Sequence, residues 1–147
     1  MAESQSSPDE LEGIHIEDTD VREGADNGSR QLVEISNEMV RIYKDQFGRG
    51  PTKVRTNYAG PDTLVCLLEH TFTPAERNLQ AMGEHQRLRD IRSVFQYAES
   101  SRFTAPIERI TGRRVRGFLS GMDTNTDIAC ELFVLEPEAT NHRDRQH

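Results

Sequence analysis

The sequence predicts an α+β fold, a two-layer sandwich of helices packed on a four-stranded, mainly antiparallel sheet in the order αββ-αα-ββ. Three observations predict it. Apolar residues recur at helical spacing from Leu32 to Phe47. Two pairs of strand-like runs flank the polar turns Gly60-Pro61-Asp62 and Asp123-Thr124-Asn125-Thr126. Between the pairs stands a helix-start signature, Thr73-Pro74-Ala75-Glu76.

The first helix places Leu32, Ile35, Met39, Ile42 and Tyr43 on one stripe, widened by Val40 and Phe47, and Gly48 is its expected C-cap. After Gly50-Pro51, residues 53–58 alternate as a half-buried strand does. Residues 64–69, its hairpin partner, are apolar on both faces and are expected inside the sheet. At Thr73 a capping box is expected: the hydroxyl accepts from the amide of Glu76, the Glu76 side chain reaches back, and Pro74 fits the first helical position. A longer helix after Gly83 is expected to bury Leu88, Ile91, Val94, Phe95 and Ala98, with Arg87, Arg89, Asp90, Gln96 and Glu99 outside. A third helical piece, about residues 106–111, stops at Gly112. The second hairpin, residues 114–122 and 127–135, offers Val115, Leu119, Ile128, Cys130, Leu132 and Val134 for burial. The two αββ units resemble each other, each with a helix ending at Gly, a base-rich strand, a polar turn and an apolar strand ending at Glu69 or Glu136. Because αββ is a common arrangement, chance recurrence is the preferred reading over duplication.

With 147 residues, 34% of them hydrophobic, the chain fits one soluble domain. Its net charge of -7 belongs to one end: residues 1–29 carry nine acids against the single base Arg22. The expected organisation is a disordered acidic tail over residues 1–29, a nearly neutral body over 30–137 and a polar tail over 138–147. Within the first tail, residues 13–18 read as a solvated spacer, with a short strand as the alternative. The longest apolar run, residues 64–68, is far short of the roughly 20 residues needed to cross a bilayer. No basic-then-apolar leader opens the chain, so a cytoplasmic protein is expected. Cys66 and Cys130 have no CxxC spacing and are expected as reduced thiols.

Catalytic patterns are missing from the sequence. Ser100-Ser101 lacks a nucleophile elbow, and Cys66 sits in an apolar strand that disfavours a thiolate. His70 and His85 belong to no metal-binding spacing, so no catalytic, cofactor-binding or metal-binding residue is assigned and no cofactor is expected. Glu69, Glu76 and Glu131 have simpler roles as strand-end solvation, helix capping and an exposed strand face. Gly48-Arg49-Gly50-Pro51 follows a helix rather than preceding one, so it is a structural turn, and Arg49 is its one side chain suited to an anion or a partner. On the third strand Arg114, Arg116, Phe118 and Ser120 are expected to share a face, with Glu131 and Phe133 beside them. Basic and aromatic residues on a sheet suit single-stranded nucleic acid, but Glu131 interrupts the patch, and a solvated or partner-covered face is preferred.

Gly48-Arg49-Gly50-Pro51, residues 68–79 with Thr73-Pro74-Ala75-Glu76, and residues 107–112 ending at Gly112, followed by the turn at residues 124–126, together resemble the MpsC-like family. These are small soluble domains named after a Na+-translocating membrane-potential-generating system. The resemblance covers about residues 30–137. It implies an accessory to a cation- or bicarbonate-linked membrane system and transfers no catalytic or ion-binding residue. The expectation is therefore a non-enzymatic cytoplasmic accessory or regulatory module acting by protein–protein contact through Arg49, Arg116 and Phe118. It is expected to form a homodimer and to meet a membrane-system protein. A nucleic-acid-binding regulator and an enzyme with an unrecognised site are the alternatives.

Overall fold

The computed structural model describes residues 15–16 and 26–138. The elements are β1 (His15–Ile16), α1 (Asp26–Phe47), β2 (Lys53–Tyr58), β3 (Thr63–Glu69), α2 (Pro74–Ala81), α3 (His85–Ala98), α4 (Ser100–Thr111), β4 (Val115–Asp123) and β5 (Ile128–Leu135). The disorder expected of residues 1–29 lies outside the described residues except at 15–16 and 26–29, which are ordered, and the polar tail over 138–147 lies outside them beyond residue 138. Within them, α1 already begins at Asp26 and His15–Ile16 pairs in parallel with Lys53 and Val54.

The sheet order is β1-β2-β3-β5-β4, and every pair except β1 with β2 is antiparallel. The four expected strands thus gain a short parallel fifth at one edge. The doubly apolar β3 lies inside the sheet, as its sequence requires. Helices pack on one face of this sheet, and the core forms between the layers. Ile35, Met39, Val40, Ile42 and Tyr43 of α1 and Phe103 and Ile107 of α4 meet Val54, Leu64, Cys66, Leu68, Ala129, Phe133 and Leu135 there. Phe103, Phe118 and Phe133 stack in sequence, with ring centroids 5.4 and 5.1 Å apart.

Strand order and direction relate α1-β2-β3 to α4-β4-β5 by an approximate two-fold axis between the antiparallel β3 and β5. The similarity of the two sequence units therefore has a counterpart in the topology. Three helices, α2, α3 and α4, separate the hairpins. The piece expected at residues 106–111 is the second half of α4, which begins at Ser100 and carries Pro106 inside it. Burial of Phe103 and Ile107 on one face overrides the proline, whose helix-interior cost is about 3 kcal/mol.

Two faces differ from expectation. β5 turns Ala129, Glu131, Phe133 and Leu135 to the helices, and Ile128, Cys130, Leu132 and Val134 to the open side. Because both alternations are largely apolar, only the register with β3, Leu64 opposite Phe133 and Cys66 opposite Glu131, selects the face. In β4 a bulge at Arg116 separates the pairs Val115–Leu135 and Gly117–Val134. The extra residue breaks the i, i+2 alternation, so Val115 and Phe118 both pack on the core while Arg116 projects outward. Leu119, expected to be buried, is 58% exposed for the same reason.

Gly48 and Gly112 end α1 and α4 in the left-handed region, at φ 73° and 69°. The Gly112 amide donates to the Glu108 carbonyl, and the space that a β-carbon would occupy there has no neighbour within 4 Å, so a side chain would meet only backbone strain. Gly112→Ala is expected to cost about 1 kcal/mol. Urea unfolding should show a lower midpoint at an unchanged m-value.

Candidate functional site

The capping box at the start of α2 is formed: the Glu76 amide donates to Thr73 Oγ1, and the Thr73 amide donates to Glu76 Oε1. Glu76 does more than cap. Arg92, on α3 and 1% exposed, donates from Nε to Glu76 Oε2 at 2.6 Å and from Nη2 to Glu76 Oε1 at 2.8 Å. Its Nη2 also donates to the Thr71 carbonyl at 2.9 Å, and its guanidinium lies 3.7 Å from the centre of the Phe47 ring. Burial by itself raises the Glu76 pKa, but the bonds from Arg92 and Thr73 outweigh it and hold the carboxyl below its ordinary value.

A second polar centre lies on β5. Glu131 is fully buried, its Oε1 accepting from the Tyr43 hydroxyl at 2.5 Å and from Gln96 Nε2 at 3.2 Å. Burial pushes its pKa up to about 7, against the opposing effects of Ser120, Tyr43, Arg92 and Gln96. Burial, followed by the Glu131 charge, likewise raises Tyr43 well above an ordinary tyrosine. Asp127 then ties the β4–β5 turn to the loop after β3, accepting from the Thr71 amide and hydroxyl and from the Phe72 amide.

These bonds decide how α3 sits. It buries Leu88, Arg92 and Gln96, one row at i, i+4 spacing, and turns Ile91 (41% exposed), Val94 (65%) and Phe95 (44%) to the surface. The expected burial of Ile91, Val94, Phe95 and Ala98, with Gln96 outside, is therefore corrected: the helix is rolled so that Arg92 and Gln96 face inward beside Leu88, which is buried as expected. Glu131 is corrected likewise, from an exposed strand face to a fully buried position.

Of the expected contact residues, Arg49 is half-buried and donates to the Phe72 carbonyl at 3.2 Å, bracing the loop before α2. Arg116 is exposed. Phe118 lies between Phe103 and Phe133 on the opposite side of β4, so Arg116 and Phe118 share no face and no basic-aromatic platform forms there. Gly50 and Pro51 complete the turn after Gly48, with a β-carbon at Gly50 reaching within 3.4 Å of Val40 and Pro51 buried. Ala75 is exposed beside Pro74 in the first turn of α2.

The histidines and carboxylates remain apart in role. His85 Nδ1 is 2.7 Å from Thr124 Oγ1, His70 Nδ1 is 2.6 Å from Thr52 Oγ1, and Glu69 pairs with Lys53 at 3.7 Å. Among the described residues no group of three or more His, Cys, Asp or Glu is placed to hold a metal. Cys66 and Cys130 are both free, and burial pushes the Cys66 thiol up to about 12. An open depression of about 510 Å³ beside Tyr58, Pro61 and Asp62 contains Arg113, whose donors are already spent on Pro61, Asp62 and Glu136.

Sequence reasoning passed over Arg92 and misplaced Gln96. The available signal was their spacing with Leu88, together with a glutamate at position 131 inside an otherwise apolar strand. A family model described as "Na+-translocating membrane potential-generating system (MpsC)" matches residues 30–137. The chain belongs to the MpsC family. No curated protein and no solved structure matches it. The span matched by the MpsC model contains Tyr43, Glu76, Arg92 and Glu131, and so both polar centres. No helix among the described residues of this MpsC-family chain is long and apolar enough to cross a membrane.

Removing one partner of a buried ion pair strands the other. Arg92→Met is expected to cost about 3–5 kcal/mol in chemical denaturation, and adding Glu76→Gln should recover part of that loss. Strict additivity of the two substitutions would show that the pair is not coupled.

Proposed function

We propose that this MpsC-family chain is a non-enzymatic cytoplasmic accessory or regulatory module of a Na+-translocating membrane-potential-generating system. It acts by contact between α3 and an apolar surface of a membrane-system protein. The observation that carries the reading is the roll of α3. A helix with Ile91, Val94, Phe95 and Ala98 at i, i+3, i+4 and i+7 would ordinarily bury them, yet here all four are exposed, Phe95 keeping an edge contact with Phe47. Exposed Met82 and Tyr97 add to the apolar surface around this helix. Polar residues of the kind that do chemistry, Glu76, Arg92 and Asp127, are instead bonded into the helix layer and its loops. Family membership supports a membrane-system partner, because that system requires a membrane component and no described helix here can span.

Self-association belongs to the same reading. The open sheet face presents Val65, Leu67, Leu132 and Val134 around the exposed Leu119, an apolar surface that a second copy would cover. Light scattering at tens of micromolar should return a dimer, and a monomer would remove this part of the proposal.

Val94→Glu tests the α3 contact, since a side chain 65% exposed tolerates a charge with little loss of stability. Tagged protein should recover a membrane protein of the system from solubilised native membranes. Val94→Glu should lose that partner at an unchanged melting temperature, while Arg116→Glu should keep it. Equal recovery by all three proteins would place the contact elsewhere. Turnover of a small molecule by the purified chain would overturn the non-enzymatic reading.

A further inference from the structure

The helix layer buries two carboxyl groups around one guanidinium. Glu76 takes the Nε and Nη2 donors of Arg92, and Nη1 is left buried without a hydrogen-bond partner. Around Glu131, the ionisable and charged neighbours are Tyr43 on α1, Arg92 on α3, Cys66 opposite it on β3 and Cys130 next to it on β5. Gln96 on α3 and Ser120 on β4 are its neutral polar neighbours. Tyr43 and Gln96 both donate to Oε1. Ser120, directly opposed across the β4–β5 ladder, favours the ionised carboxyl, but its Oγ and Glu131 Oε2 are both buried and complete no hydrogen bond of good geometry. A carboxylate left this way is costly, and binding a proton removes the cost.

We propose that Glu131 is a proton-binding site that sets how α3 is seated: with a proton on Oε2, Arg92 stays with Glu76, and without it two buried carboxylates compete for one guanidinium. Arg92 and Gln96 are both on α3, so the competition bears on the helix that carries Val94 and Phe95 at the surface. Burial raises the Glu131 pKa to about 7, which puts the change in the neutral range. An unfolded glutamate titrates near about 4.3, so the folded chain holds this proton more tightly. The stability contributed by this group is full below about pH 4 and is lost as pH rises to about 7. The inference does not depend on what, if anything, α3 binds.

The full chain is titrated by NMR from about pH 3.5 to about pH 8, following the Glu131 side-chain carboxyl, the Gln96 side-chain amide and the α3 backbone amides. All three should move with one midpoint near 7, and in Glu131→Gln the Gln96 and α3 movements should disappear. Thermal unfolding should show Glu131→Gln more stable than the wild type at about pH 8, with the gap closing towards pH 5. A carboxyl midpoint near the ordinary glutamate value, or α3 movements that persist in Glu131→Gln, overturns the proposal. Should Glu131→Gln fail to fold, the wild-type titration decides alone: α3 amides with no inflection at the carboxyl midpoint overturn it.

Discussion

A guanidinium enclosed by protein has to be paired, and in this fold the pairing of Arg92 ties α3 to α1 and α2. Its two bonds to Glu76 join α3 to α2, its bond to the Thr71 carbonyl joins α3 to the end of the sheet, and its stacking on Phe47 joins α3 to α1. Exchange for an apolar side chain on both partners would cost such an arrangement little, whereas loss of one partner leaves a stranded charge. The pair therefore specifies orientation more than it adds stability. With Arg92 on Glu76, α3 turns Ile91 and Val94 away from the core and leaves Phe95 half at the surface with one edge on Phe47.

The loops are held by the same logic. Thr71 offers its carbonyl to Arg92 while its amide and hydroxyl donate to Asp127, so one residue links α3 to the β4–β5 turn. From the other side of that turn, Gln80 donates to the Thr124 and Asn125 carbonyls, and His85 meets the Thr124 hydroxyl. The turn residues at 124–126, read from sequence as a motif, are thus gripped by α2 and α3. Glu131 lies at the sheet side of this polar region, where Gln96 connects it to the same helix.

What the sequence shows clearly is whatever is decided locally. The α1 stripe, the glycine caps at Gly48 and Gly112, the Thr73–Glu76 capping box and both hairpins rest on residues a few positions apart, and each stands where it was expected. The failures rest on partners far along the chain. Nothing within α3 reveals that Arg92 will meet a glutamate on the preceding helix, so its apolar side looks like a core face. In β5 both alternations are largely apolar, and only pairing with β3 chooses the one containing Glu131. The bulge at Arg116 likewise depends on the neighbouring strand, and it dissolves the basic-aromatic face that bare alternation would give. Arg49 looked free because its acceptor, the Phe72 carbonyl, is supplied by a different loop.

The approximate symmetry of the sheet shows where this chain is specialised. α1-β2-β3 and α4-β4-β5 repeat one arrangement, and together they supply the residues of the apolar core. Helices α2 and α3 fall between the repeats and have no symmetric counterpart among the described residues. A core built by the two repeats leaves the inserted pair little apolar surface to bury for the fold, Leu88 of α3 being fully buried. That freedom allows α3 to turn Arg92 and Gln96 inward and Ile91 and Val94 outward without loss of a core. The buried ion pair and the exposed stripe then belong to one asymmetric insertion, and the Glu131 carboxyl, presented by the sheet, is where that insertion meets the symmetric body.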